Sequence, residues 1–170
     1  MMRVLVTGAG GFIGRSLIRH CAARSSMDVI ATSRTLGESI SGVTWHCVGE
    51  IDECTDWLKC VDGIDAVIHL AGRLGTSETF GVEYETADVN ILGALTVADQ
   101  CQRRGIPLVW IGTGHKGQPN PYAITKGCAE DLLLARGDVA VVRAFHAYGP
   151  GQKSFPPHGL SAVRKIMPSF

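Results

Sequence analysis

The chain has 170 residues, 45% hydrophobic and 19% charged, with sixteen basic residues balanced by sixteen acidic ones. That length suits one domain able to bury roughly 70% of its unfolded surface without cross-links, and the composition excludes disordered and fibrous classes. Neutrality without a long Lys/Arg run argues against a nucleic-acid partner and against an anionic membrane surface.

Short β-branched apolar runs alternate with longer stretches of helical period, the pattern of successive β-α-β units. Residues 4–6 form the first strand. After Gly10-Gly11, residues 12–23 carry Ile13, Leu17 and Ile18 at the spacing of a helix packed on a sheet. Residues 29–32 and 43–48 are the second and third strands, and the acidic stretch 52–60 predicts a short crossover helix. Residues 65–70 form an almost wholly apolar central strand, as expected where helices cover both faces. Residues 83–104 predict the longest helix, stopped by Gly105 and Pro107. A fifth strand (108–111), a helix (122–135) and a sixth strand (139–142) follow. The expected fold is an α/β, doubly wound parallel sheet of Rossmann type with six strands. The core spans 1–150, and residues 151–170 begin an exit toward a further lobe. Six scattered cysteines, with neither a C-x-x-C nor a zinc-type spacing, read as reduced, mostly buried thiols with no metal site. The apolar run after Met1-Met2-Arg3 is too brief for a signal segment or membrane span, which points to the cytoplasm.

Thr7-Gly8-Ala9-Gly10-Gly11-Phe12-Ile13-Gly14 lies between the first strand and the first helix. Gly8 permits a sharp turn, Gly11 lets backbone amides approach a pyrophosphate, and Gly14 allows close helix–strand packing. The helix N-terminus supplies free donors and partial positive charge. After the second strand, where an acidic residue would take a ribose 2′-hydroxyl, the chain has Ser33-Arg34, suited to a 2′-phosphate. NADP is therefore the expected cofactor, with NAD the alternative.

Tyr122 and Lys126, four apart on a predicted helix, share a face. A free tyrosine titrates near pH 10, and a neighbouring ammonium favours its phenolate, which makes it a usable base. Thr113 follows the fifth strand at the carboxyl edge of the sheet, where such folds hold their ligands. His69, inside an apolar strand, reads as a core histidine.

These blocks, with Asp65-Ala66-Val67-Ile68-His69-Leu70-Ala71-Gly72, Asp88-Val89-Asn90 plus Gly93, Pro121 to Lys126 and Arg143 to Gln152, resemble the extended short-chain dehydrogenases, the NAD-dependent epimerase/dehydratase family. The resemblance implies that Tyr122 is the general acid/base, Lys126 its tuner and a ribose ligand, and Thr113 the substrate-positioning hydroxyl. It places Asn90 near the active site, Leu70, Ala71 and Gly72 along the cofactor, and Glu50-Ile51 where the family has an adenine-contacting aspartate. It also implies a nucleotide-sugar substrate, a homodimer built on helices 83–104 and 122–135, and a C-terminal substrate lobe that this chain lacks, residues 161–170 being the helix that leads into it. The chain departs from the family in the nine positions between Thr113 and Tyr122, in Gly112 for a hydroxyl residue, and in His146 for Asn. Gly114-His115-Lys116, where dehydratases carry an acidic pair, favours an epimerase or a reductase. The function so implied is hydride transfer at a secondary alcohol or ketone of a nucleotide-sugar; an NADP-dependent carbonyl reductase and a non-catalytic dinucleotide-binding module are the alternatives.

Overall fold

A computed structural model describes residues 1–52, 55–145 and 147–152. In chain order the elements are β1 (Met2–Thr7), α1 (Phe12–Ala22), β2 (Met27–Ser33), β3 (Val43–Cys47), α2 (Leu58–Val61), β4 (Ala66–His69) and α3 (Glu83–Ala87). A single π-helical turn (Asp88–Leu92) leads into α4 (Gly93–Arg104), followed by β5 (Leu108–Thr113), α5 (Pro121–Arg136) and β6 (Val139–Ala144). The strands form one six-stranded sheet in the order β3-β2-β1-β4-β5-β6, every neighbouring pair parallel. The strand order reverses between β1 and β4, which opens a crevice at the carboxyl ends of the strands.

Alternation along the strands sorts the core into two layers. Val4, Val6, Val29 and Ala31 face α1 and meet Ile18 and Cys21. Leu5, Ile30, Val67, Leu108 and Trp110 face the other way, against Val97 and Ala98 of α4 and Ala129 and Leu133 of α5. Helices thus cover both faces, as the apolar strands predict.

Three elements differ from expectation. The predicted helix 52–60 shrinks to α2, because the Thr55 hydroxyl accepts a hydrogen bond from the Asp52 amide at 2.9 Å and so offers that backbone an alternative to a helix; residues 53 and 54 lie outside the described residues. The helix expected over 83–104 runs its full length, but with a π turn (Asp88–Leu92) inside it that carries Asn90. The apolar spacing that put Ile13 on the sheet fails, since Ile13 is exposed while Ile18 is buried. Among the cysteines, Cys21, Cys60 and Cys101 are buried, whereas Cys47 and Cys128 are exposed; all five are free thiols. Cys54, His146 and the predicted helix 161–170 lie outside the described residues.

Candidate active site

The turn after β1 is built on backbone contact. Gly8 takes a φ of +66°, and a Cβ there would come within 2.6 Å of the Ala71 amide nitrogen. A Cβ on Gly14 would lie 2.4 Å from the Gly8 carbonyl oxygen. Backbone cannot step aside, so both positions require glycine. Gly11 is merely tight, with its Cβ position 3.2 Å from that same oxygen. Gly11 is the N-cap of α1; no side chain caps this helix and its first turn holds no acidic residue. The amides of Phe12, Ile13 and Gly14 therefore have no carbonyl one turn back to receive them and present donors to an anion. α5 differs: the Asn120 Oδ1 accepts from the Ala123 amide at 2.9 Å and closes that terminus. A cradle that any Cβ would fill, below a helix start with no competing carboxylate, fits the pyrophosphate of a dinucleotide.

Ser33, at the end of β2, lies beside the cradle, its Cβ 3.3 Å from the place a Cβ on Gly10 would occupy. The Ser33 hydroxyl donates to the Thr35 carbonyl. The Arg34 Nη1 donates to Glu50 Oε1 at 2.9 Å, while the Cys47 thiol donates to the Arg34 carbonyl at 2.9 Å. The two residues assigned to different parts of the cofactor are thus partners of each other. Ile51 turns its side chain into the core, where its Cγ2 would be 2.8 Å from a Cβ on Gly93. This explains the glycine of the Asp88-Val89-Asn90 block: it makes room for Ile51.

Between the two halves of the sheet, the Thr7 hydroxyl and His69 Nδ1 are hydrogen-bonded at 2.7 Å, and the Ala71 amide donates to the same hydroxyl at 3.3 Å. The Leu70 amide donates to the Thr7 carbonyl at 3.2 Å. Leu70 and Ala71 are in this way fastened to the end of β1. His69 is a core residue: burial, with Lys126 nearby, pushes its imidazole down to about 3.

Asn90, buried in the π turn, holds the next stretch. Its Oδ1 accepts from the Arg73 amide at 2.8 Å, and its Nδ2 donates to the Arg73 carbonyl at 3.1 Å and to the Thr125 hydroxyl at 3.0 Å. Asn90 therefore clamps the loop after β4 to α5. Gly72 sits within the clamp, where a Cβ would lie 3.0 Å from Asn90 Oδ1 and 3.9 Å from Lys126 Nζ.

Lys126 is buried. Its Nζ donates to the Ile111 carbonyl at 2.6 Å and stands 3.9 Å from the centre of the Trp110 ring. Burial pulls the ammonium down to about 7, against an upward pull from Glu130. Tyr122, half-buried, lies one turn earlier, beside the Pro121 start of α5. Thr113 ends β5 and is buried, its hydroxyl accepting from the His115 amide at 3.1 Å. Gly72, Asn90 and Lys126 converge, with Thr113 two residues beyond the carbonyl that holds Lys126; Ser33, Arg34 and Glu50 form a second group across the crevice.

Glu130 escaped the sequence reading. It is 1% exposed, two turns past Tyr122 on α5, and accepts from Arg143 Nη2 at 2.8 Å and from Lys116 Nζ at 3.1 Å. The Arg143 hydrogen bond, with Lys116 behind it, holds the Glu130 carboxyl below the usual range. Its Oε2 would be 2.9 Å from a Cβ on Gly112, so the glycine that departs from the family pattern makes way for this carboxylate. The signal was present: Tyr122, Lys126 and Glu130 recur at intervals of four, placing two charges on the face that buries Ala129 and Leu133. Among the described residues, no group of three or more His, Cys, Asp or Glu could hold a metal, and no helix is long and apolar enough to cross a membrane.

A parallel sheet of this strand order, with a glycine cradle at its switch point, defines a doubly wound dinucleotide-binding protein. The chain belongs to the NAD dependent epimerase/dehydratase family, which it matches over residues 4–168. It is 31% identical to GDP-6-deoxy-D-mannose reductase of Pseudomonas aeruginosa, over 89% of this chain and 54% of that protein. That alignment runs over 176 positions, more than the 170 residues of the chain, so the relative carries residues inside the matched region that this chain lacks. Among solved structures, MoeE5 in complex with UDP-glucuronic acid and NAD is similar at a TM-score of 0.76 and 27% identity, over 89% of this chain and 57% of that one. The Pseudomonas aeruginosa protein RMD complexed with NADPH is similar at 0.70 and 30%, over 89% and 57%. The chain thus spans about half the length of these three proteins.

Proposed function

We propose that this chain carries the cofactor site and the proton-transfer residues of an NAD(P)-dependent oxidoreductase acting on a secondary alcohol or ketone of a nucleotide-sugar. The convergence of Gly72, Asn90 and buried Lys126 beside Tyr122, at the carboxyl edge that also holds Thr113, carries this reading. The cofactor, when bound, supplies the hydride acceptor or donor. Gly8, Gly11, Phe12, Ile13 and Gly14 hold its diphosphate with backbone amides, Leu70, Ala71 and Gly72 line its path, and Ser33, Arg34 and Glu50 bound its adenosine end, with Ile51 packed into the core behind them. Asn90 orders the Gly72 wall rather than reaching outward.

Tyr122 moves the proton at the reacting oxygen: its phenolate takes a hydroxyl proton in oxidation, and its phenol returns one in reduction. Lys126, one turn further along the same helix, supplies the positive charge on this side of the crevice. Thr113 orients the substrate oxygen. The similarity to a reductase and to a protein holding UDP-glucuronic acid supports a nucleotide-sugar. The short loop 114–120, with Gly114-His115-Lys116 after Thr113, favours epimerisation or reduction over elimination of water.

Full chain supplied with each oxidised and reduced cofactor and a panel of UDP-, GDP- and CDP-sugars tests this through reduced-nicotinamide absorbance. Tyr122→Phe is expected to lower the rate by about 10² to 10⁴ while cofactor affinity changes little. A Tyr122→Phe protein as active as the parent would sink the assignment.

A further inference from the structure

Arg34 and Glu50 reach each other from two different crossovers, one leaving β2 and the other leaving β3, with Nη1 and Oε1 2.9 Å apart. Both side chains are largely exposed, at 73% and 59%. Ser33, packed toward Gly10, sets the pair next to the cradle, and the Cys47 thiol on the Arg34 carbonyl fixes the backbone from which the guanidinium extends. In sites of this architecture an acid at the end of β2 accepts from a ribose 2′-hydroxyl, whereas an arginine takes a 2′-phosphate. Here the arginine stands on the β2 side and the acid arrives from β3, so each cofactor form has a suited partner and the two partners occupy one another.

We propose that Glu50 is a specificity-determining residue that competes with the cofactor 2′-phosphate for Arg34, so that this exchangeable ion pair lets one site accept both NAD(H) and NADP(H). The inference rests on the reading of the cradle as a dinucleotide site. An exposed ion pair is weak and parts at little cost. A phosphate monoester brings a charge of about −1.5 to −2 and suits the guanidinium fork better than a single carboxylate oxygen does. Glu50 remains near the incoming phosphate and repels it. Removing the Glu50 charge therefore both frees Arg34 and ends the repulsion, and it does so only for the phosphorylated cofactor.

Calorimetric titration of the full chain with ADP-ribose and 2′-phospho-ADP-ribose, neither able to transfer hydride, reads this out at low and high salt. Glu50→Gln is expected to tighten 2′-phospho-ADP-ribose about fivefold relative to ADP-ribose at low salt and less at high salt. Arg34→Gln is expected to weaken the phosphorylated compound more in the Glu50→Gln background than in the parent, because Glu50 no longer shares the guanidinium. Both side chains are exposed, so folding survives either change. A Glu50→Gln protein that binds both compounds with the parent's ratio, or binds the phosphorylated one more weakly, overturns the competition alone. If neither compound binds the parent or any variant, the dinucleotide site itself fails, and the competition falls with it.

Discussion

At neutral pH the Lys126 ammonium sits near its own midpoint, because burial pulls it down to about 7 from an unfolded value near 10.4. Between those limits the unfolded chain binds more protons than the folded one, so this group makes stability rise with pH; below about 7 its full penalty applies. Chemical denaturation of the ligand-free chain at pH 7 and pH 9.5 should show a gain on the order of 2–3 kcal/mol, which Lys126→Met should largely abolish by stabilising the pH 7 state. His69 acts at the acid end. Its imidazole is pushed down to about 3, so stability is lost as pH falls below 6.5, where the unfolded state takes up a proton that the fold refuses. The loss attributable to it is on the order of 2 kcal/mol between pH 6.5 and 5; a His69→Gln chain whose acid unfolding is as steep as the parent's would contradict that cause.

At the level of elements, α5 bears Tyr122, Lys126 and Glu130, and its inner face could be read only in part. The Tyr122–Lys126 spacing was legible because four residues return a helix to the same face. The partners of Glu130 were not, since Lys116 and Arg143 come from the loop 114–120 and from β6, and only the assembled sheet edge brings them together. Gly112 and Glu130 compete for one space, so Gly112→Ser should cost about 1–3 kcal/mol in the parent and much less in Glu130→Ala, a non-additivity visible in thermal melts of the two single variants and the double. The π turn was equally hidden, because its apolar spacing passes for ordinary helix. Its consequence is measurable: Asn90→Ala strands the amide and carbonyl of Arg73 and should cost about 2–4 kcal/mol, as read from the denaturation midpoint.

For the whole molecule, the strand order is visible only in the structure, whereas the six-stranded parallel sheet and its two helical layers followed from the alternation of apolar runs with helical stretches. The glycine cradle was readable for the same reason, as position between strand and helix gives glycine its meaning. The Arg34–Glu50 pair was not, because it spans two crossovers whose relative placement no local spacing encodes. If the cradle holds a dinucleotide, saturation at a hundred times the dissociation constant adds about 2.7 kcal/mol, or a melting shift of roughly 5–10 °C for a chain of this size. No shift with either NADH or NADPH would count against the cradle assignment.

Gly8 closes its turn against the backbone of Leu70 and Ala71, some sixty residues later in the chain. During synthesis the glycine segment leaves the ribosome well before the fourth strand, whose end supplies the surface that gives it shape. On the reading of the cradle as a dinucleotide site, nucleotide affinity is then acquired late, as a property of the joined halves, and a shortened chain ending before residue 65 is expected to hold every glycine of the motif without gripping a diphosphate.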